Sequence, residues 1–316
     1  MNLKRWIARR EAHWQSLETL LYRVKRRGIQ RLTAAEVRQL ASLYRSVSAD
    51  LARAQTHRLG QRLTQMLQDL TAQGYHQIYQ GQRHQEWAAV REFLLWGLPA
   101  ALQRNGLYIA IATLLFLGMG LIGGAIATLD PQVIPVLVPA HLIETVRKGE
   151  LWMGSILGQE PIASASIMIN NLLVSFGAIA GGITLGLWTV YILVFNGLFL
   201  GIVATLVAQH DLAYPFWAFV LPHGSLELPA ICIAGGAGLL IARGLLYPGR
   251  YTRLAAVQYY SNQAAQLTVG VVLLLIIAGF IEGLFSPNPL VPDALKYLAG
   301  GMLFFLLIGY GQRQKG

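Results

Sequence analysis

The chain has 316 residues, of which 54% are hydrophobic and only 13% are charged. A soluble globular protein usually has about 25% charged residues, so this composition excludes an ordinary soluble domain and indicates a membrane protein. The net charge of +10 lies in residues 1–106, which hold 17 Lys and Arg against 7 Asp and Glu, and the rest of the chain is neutral. A basic segment beside a membrane predicts anionic lipid headgroups as partners and not nucleic acid, the competing partner for a basic surface.

The single cysteine, Cys232, lies in an apolar run, which excludes a disulfide within the chain and a zinc site built from cysteines. The first residues, MNLKRWIARREAHW, are charged throughout, so no signal peptide is expected. We find no pattern that predicts catalytic residues, a metal site or a cofactor, and we expect a protein that is not an enzyme.

Four helices are predicted before the first long apolar stretch. Apolar spacing predicts the first, which Gly28 ends, and Thr33 and Glu36 have the spacing of a capping box at the start of the second. The predicted ranges are 3–27, 34–58, 61–80 and 85–104. We assign residues 1–104 to a cytoplasmic basic helical domain.

The fourth helix mixes aromatic residues with arginines, which is typical of a helix lying at a membrane interface. The alternative is a core helix of the basic domain. The residues expected at the lipid interface are Arg83, Trp87, Arg91, Trp96 and Arg104.

A helix needs about 20 apolar residues to cross ~30 Å of hydrocarbon. Residues 105–316 contain six such stretches, which predicts an all-α, polytopic membrane domain with six transmembrane helices. The uncharged run 162–207 has room for two of them and predicts a hairpin that turns near 185–188. The predicted spans are 107–128, 165–185, 188–208, 226–246, 266–285 and 294–311.

Six spans place both termini on one side of the membrane. Lys and Arg outnumber Asp and Glu in the N-terminal segment, the loop 247–264 and the C-terminal tail, so the positive-inside rule predicts that both termini are cytoplasmic. The opposite loops are acidic, and a short amphipathic helix is predicted there over 139–157.

Glycines recur at four-residue spacing in several spans, which allows helix backbones to approach closely. Such pairs predict packing within the chain, or a dimer face. The pairs are Gly120 with Gly124, Gly177 with Gly181, Gly182 with Gly186, and Gly197 with Gly201.

Residues 222–230 read PHGSLELPA and place two ionisable side chains, His223 and Glu227, beside a predicted span. Ionisable groups at membrane depth are costly and are commonly functional. The two prolines predict a break, with a short re-entrant helix before it and Ser225 as the cap of the following helix. The pair could lock this turn, form part of a proton or ion path, or dock a protein or lipid. A zincin site is disfavoured because the stretch has one histidine.

Three asparagines, Asn170, Asn171 and Asn196, also lie deep in apolar runs. Asparagines there commonly bond across helices, and their depth would allow them to join His223 and Glu227 in one polar cluster. Glu282 and Arg243 lie near the ends of spans, where long side chains are expected to extend toward the interface.

The motif PHGSLELPA resembles the signature of the stage II sporulation protein M family of integral membrane proteins. Two further stretches agree, LASLYRSVSADLARA at 40–54 and HQIY at 76–79. The order of the parts also fits, since the polytopic domain contains an Asn-Asn pair and the Asn196–Gly197 step. The resemblance implies a scaffold that recruits partner proteins, and it marks His223, Gly224, Glu227 and Pro229 as signature residues.

We therefore expect a non-enzymatic scaffold in a bacterial inner membrane that forms a homodimer or binds a membrane or cell-envelope protein. Tyr44, Arg45 and Asp50 are the residues expected at an internal contact or partner site in the basic domain. The alternative is a transporter or channel, for protons or a small solute, that uses the His223, Glu227 and asparagine cluster.

Overall fold

The computed structural model describes residues 3–28, 31–57, 59–76, 81–151 and 160–315. The chain divides into two compact units, Met1–Phe93 and Leu94–Gly316. The boundary predicted at residue 104 falls inside the second unit. All regular structure among the described residues is helical, as the all-α prediction requires.

Four helices of the N-terminal unit are described, and the first two follow the predicted limits closely. The third ends at Tyr75, and the single helix predicted over 85–104 is wrong: Gly81–Glu92 and Leu98–Arg104 are separate helices. The capping box is present: the Thr33 hydroxyl accepts from the Glu36 amide, and the Glu36 carboxylate accepts from the Thr33 amide at 2.8 Å. These helices are α1 (Leu3–Arg27), α2 (Ala34–Thr56), α3 (Gln61–Tyr75) and α4 (Gly81–Glu92).

The core of this unit forms between α1, α2 and α3, where Leu17, Val47 and Leu67 are fully buried. Arg23 on α1 also pairs with Glu36 on α2 at 2.7 Å. The Thr33 backbone amide and the Arg23 guanidinium hold the pKa of Glu36 below its ordinary value.

The described residues of the second unit include five helices that are long and apolar enough to span a membrane, so the chain is a multi-pass membrane protein. They are α6 (Gly106–Leu129), α10 (Leu187–Ala208), α11 (Ala213–Leu246), α12 (Arg253–Leu284) and α13 (Asp293–Gly311). The remaining helices are α5 (Leu98–Arg104), α7 (Ile134–Leu137), α8 (Ala140–Arg147) and α9 (Glu160–Ala180). A π-helical turn, Phe93–Gly97, precedes α5.

Helix contacts fix the direction of each span. Gly123 lies against Leu198, and Thr205 bonds to Gly124, so α6 and α10 run parallel. Gly235 lies against Ala112 and Gly236 against Ile109, so α11 runs antiparallel to α6.

These directions define two ends of the bundle. At the basic end, the helix termini and the loop that joins them carry Arg and Lys. At the acidic end, the loops carry most of the Asp and Glu. Residues at the basic end are Gly106, Leu187, Leu246, Arg253 and Gly311; residues at the acidic end are Leu129, Ala208, Ala213, Leu284 and Asp293.

The hairpin predicted near 185–188 is confirmed, because Leu185 and Gly186 both have positive φ values, of 58° and 86°, that reverse the chain between α9 and α10. The helix predicted over 139–157 is wrong in length. It ends at Arg147, and Gly149 with a φ of 77° turns the chain away. Residues 152–157 of that prediction lie outside the described residues.

The glycines that the sequence predicts at helix contacts approach a neighbouring backbone most closely between α6 and α10. A Cβ on Gly201 would overlap the carbonyl oxygen of Gly120, and a Cβ on Gly197 would overlap that of Phe116. By contrast, a Cβ on Gly118 would meet no atom within 4 Å. The α6–α10 contact therefore depends on particular glycines and not on glycine content.

We predict that Gly201→Ala separates α6 from α10 and lowers the free energy of unfolding by about 1–3 kcal/mol, the usual cost of overpacking. Thermal unfolding of the full chain in detergent measures the effect. Gly118→Ala, on the exposed side of α6, is the matched control and should change stability by less than about 0.5 kcal/mol. Equal effects of the two substitutions would contradict the packing described.

Candidate functional site

The signature motif lies in the middle of one uninterrupted helix. Helix α11 runs from Ala213 to Leu246 and includes both Pro222 and Pro229. The predicted re-entrant break is therefore wrong, and Ser225 is not a helix cap. Its hydroxyl instead donates to the Pro222 carbonyl, three residues earlier in the same helix, at 3.0 Å.

An unbroken helix places His223 and Glu227 one turn apart on the same face. Both are buried, with 5% and 8% of their surface exposed. His223 Nδ1 lies 3.0 Å from the Ser286 hydroxyl, just after α12, and its ring meets Phe219 edge to face. Glu227 is hydrogen-bonded by the Asn171 side chain of α9. The motif therefore connects three helices.

Glu282 of α12 is the residue that the sequence interpretation misplaced. It was expected to extend toward the interface, but only 3% of its surface is exposed. It faces α11 and lies within electrostatic range of Glu227. We call His223, Glu227, Asn171, Glu282 and Ser286 the polar cluster. The sequence did contain a signal for this burial, because Glu282 lies inside the predicted span 266–285.

The two carboxylates of the polar cluster have unused bonding capacity. Glu227 Oε1 and Glu282 Oε2 are buried, and neither is bonded to any residue that the structure describes. Buried polar atoms normally have partners, so each of these two is a position where a proton, a water molecule or a cation would bind. The described residues offer no group of three or more His, Cys, Asp and Glu arranged for a metal ion.

The remaining predicted residues of this set lie elsewhere. Asn170 is exposed on α9, and Asn196 donates to the Ile192 carbonyl of its own helix at 2.8 Å. Gly224 and Pro229 face away from the polar cluster and line a separate apolar groove. The prediction of one cluster therefore holds for Asn171 and fails for Asn170 and Asn196.

The polar cluster extends from the middle of α9, where Asn171 lies, to the acidic end of the bundle. Glu282 is two residues from the end of α12, and Ser286 follows that helix. Helix α11 continues past the cluster for ten more residues, Ala213–Pro222, which is about 15 Å. There Phe216 packs with Ile134 of α7, Ile143 of α8 and Val207 of α10. We call α7, α8 and residues 213–220 the acidic-end cap.

In the N-terminal unit, Asp50 makes a buried contact between α1 and α2. Its Oδ2 accepts from Arg10 Nε at 2.7 Å and from Trp14 Nε1 at 3.0 Å, and Arg10 also donates to the Ser46 hydroxyl. Tyr44 instead packs over Gly74 of α3, and Arg45 is exposed. The three predicted residues thus do not form one site, and Arg10 and Trp14 were missed because α1 is distant in sequence.

The residues predicted at the lipid interface are divided between the two units. In the first unit, Trp87 is 70% exposed and Arg91 is exposed on α4, whereas the Arg83 side chain lies outside the described residues. In the second unit, Trp96 lies under the Arg313 guanidinium, 5.3 Å from its ring centroid, and Arg104 is exposed. Residues 77–79 of the HQIY stretch also lie outside the described residues.

An all-helical bundle with buried ionisable groups and a basic helical unit defines the class as a polytopic membrane protein with an N-terminal accessory unit. The family model for stage II sporulation protein M matches residues 105–287, more than half of the chain, and a domain of unknown function matches residues 4–80. The chain belongs to the stage II sporulation protein M family.

Two uncharacterized proteins of Methanocaldococcus jannaschii are similar to this chain. One is 32% identical over 125 residues, which are 39% of this chain and 70% of that protein. The other is 28% identical over 102 residues, 31% of this chain and 46% of that protein, so the match spans less than half of the second relative. No solved structure matches.

We predict that Asp50→Ala weakens the contact of α1 with α2, because it leaves the Trp14 N–H and the Arg10 guanidinium without their acceptor. The loss should be about 2–3 kcal/mol, the range for hydrogen bonds to a charged group. Amide hydrogen exchange in α1 and α2 of the full chain measures it. Asp69→Asn, at an exposed position on α3, is the control. Unchanged protection in Asp50→Ala would contradict the role assigned to this carboxylate.

Proposed function

We propose that the chain is a non-enzymatic membrane scaffold that assembles as an oligomer or recruits a membrane or cell-envelope protein. The observation that carries this proposal is the place of the polar cluster. The cluster extends from Asn171, in the middle of α9, to Ser286 just after α12. It therefore joins α9, α11 and α12 beneath the acidic-end cap and supports that surface from below.

The acidic-end cap is the surface through which the scaffold would act. It combines a packed interior with exposed apolar side chains: Val136 is 77% exposed, and Leu290, in the neighbouring loop, is 88% exposed. A rigid surface of this kind suits recognition of another protein because little order is lost on binding.

The proposed topology has six spans in a bacterial inner membrane. Helix α9, Glu160–Ala180, has 21 residues and a length of about 31 Å, which is enough to serve as the sixth span beside the five long helices. An even number of spans places both termini on one side. The arginines at the basic end support a cytoplasmic location for that end and for both termini.

The N-terminal unit would bind anionic headgroups at the membrane surface. The support is its share of the net charge and the exposed Trp87 and Arg91 on one helix. An aromatic ring at headgroup depth with a cation near the phosphates is the usual arrangement of an interfacial helix.

Site-specific photo-crosslinking in cells tests the scaffold proposal. A benzophenone amino acid at Val136 or Leu290 should give one defined adduct, either with a second copy or with one partner protein. The same group at Leu114, an exposed position on the side of α6, is the control and should label lipid. Glu227→Ala should reduce the adduct at Val136 by about tenfold, because the helix below the cap loses a buried contact.

Failure of both cap positions to give a defined adduct, in a chain that is folded and in the membrane, would contradict the scaffold. A defined adduct from Leu114 alone would move the interaction surface to the side of the bundle.

A second function, proton or cation movement, is favoured by one observation. Glu227 and Glu282 are buried within electrostatic range, and each has a carboxylate oxygen without a partner among the described residues. Two carboxylates buried together bind a proton or a cation readily, because the bound charge removes their mutual repulsion.

Liposomes containing the purified chain and a pH-sensitive or cation-sensitive dye distinguish the two functions. Transport predicts flux above that of empty liposomes, reduced at least about tenfold by Glu227→Gln and by Glu282→Gln, with Asp211→Asn in an exposed loop unchanged. Equal leak in wild type and empty liposomes would contradict transport and leave the scaffold as the function.

A further inference from the structure

The face of α11 opposite the polar cluster forms the floor of an apolar groove. Helices α6 and α13 form its two walls, and the open groove has a volume of about 720 Å³. Gly224, Ser225 and Pro229 of the signature motif lie in this floor. One face of the motif thus contributes to the polar cluster, whereas no residue that the structure describes covers the other.

The groove is built for an apolar occupant. The two hydroxyl side chains along it are bonded within the protein: Ser225 donates to Pro222, and Thr113 donates to Ile109 of its own helix at 2.8 Å. The rims are apolar and open, since Leu117 on α6 is 52% exposed and Phe304 on α13 is 43% exposed. A polar solute would find no free donor among these groups, whereas a hydrocarbon chain would bury the exposed rims.

The groove extends along α11 from Trp217 to Ile233, about 24 Å, and its wall on α13 is about as long as one leaflet is thick. Along α13 it extends from Gly300 to Gly311, which is about 17 Å at the rise of an α-helix. Half of the ~30 Å hydrocarbon thickness is about 15 Å.

The basic end of the groove has the charge that an anionic headgroup requires. The Gln103 amide closes this end by donating to the carbonyls of Gly311 and Arg313 at 2.8 and 2.9 Å. Arg104 and Arg313, on either side of this contact, are both exposed. The second unit has eight Asp and Glu residues, and none of them lies at the basic end. Six of its cations do lie there: Arg104, Arg243, Arg250, Arg253, Arg313 and Lys315.

We propose that this groove binds one acyl chain of an anionic phospholipid from the leaflet at the basic end, with its phosphate held by Arg104 and Arg313. Arginine recognises phosphate oxygens through paired N–H donors, and a cation at the membrane surface adds attraction for anionic lipid. The bound chain would fill the space between α6 and α13, and would hold α13 against the bundle. The site is separate from the lipid contact proposed for the N-terminal unit and does not depend on the scaffold function.

Photo-crosslinking with a phosphatidylglycerol that carries a diazirine near the end of one acyl chain tests the proposal. In the full-length chain in liposomes, peptides of α11 and α13 that line the groove should carry most of the label. Phosphatidylcholine with the same chains should label them at least about fivefold less. Excess unlabelled phosphatidylglycerol should compete, and excess phosphatidylcholine should not.

A matched pair of glycine variants on α13 isolates the groove. A Cβ on Gly301 or on Gly309 would meet no atom within 4 Å, but only Gly301 lines the groove. Gly301→Trp should therefore fill the groove and lower the labelling by about fivefold or more, whereas Gly309→Trp should leave it unchanged. Size-exclusion elution and thermal unfolding establish that both variants fold.

The charge variant Arg104→Gln/Arg313→Gln separates headgroup recognition from chain binding. It should remove the preference for phosphatidylglycerol and retain the residual labelling seen with phosphatidylcholine. Equal labelling by the two lipids in the wild-type chain would overturn the anionic specificity. If Gly301→Trp folds and labelling is unchanged, the groove is not the site. If that variant does not fold, the competition experiment on the wild-type chain tests the proposal instead, and failure of unlabelled phosphatidylglycerol to compete would contradict it. Crosslinks between two copies through groove residues would replace the lipid with a second chain.

Discussion

The buried polar cluster between α11 and α12 is the constraint around which the membrane unit is arranged. Hydrocarbon provides no hydrogen-bond partners, so polar side chains at this depth have to find them on neighbouring helices. His223 does so through Ser286, and Glu227 through Asn171. These contacts fix both the face that α11 turns toward α9 and α12 and its register against them.

Once that face is fixed, the opposite face of α11 is determined as well. Gly224 and Pro229 are turned outward, because a helix that buries His223 and Glu227 on one side must present the intervening positions on another. The nine residues of the motif PHGSLELPA therefore contribute to two surfaces, a polar one inside the bundle and an apolar one between α6 and α13. This arrangement explains why the motif combines ionisable residues with small ones.

The limits of prediction from sequence follow from the range of the interactions involved. The capping box of α2, the hairpin before α10 and the limits of α6, α10 and α13 depend on neighbouring residues, and their patterns predicted them. Helices α11 and α12 begin 13 residues before the predicted spans 226–246 and 266–285, because the sequence pattern marks only their most apolar part. The proline pair misled the interpretation because local rules treat proline as a helix breaker. In α11 the packing of surrounding helices outweighs that preference, and the helix continues from Ala213 to Leu246.

The sequence by itself determined that the chain is an all-helical, multi-pass membrane protein with a basic N-terminal unit, because hydropathy and charge are properties of composition and spacing. Only the tertiary structure decided which polar residues meet. Glu282 joins Glu227 and Asn196 does not, although both lie in apolar runs, since the rotation of each helix about its axis is set by packing. The same holds for Asp50, whose partners Arg10 and Trp14 lie 40 and 36 residues away in the chain.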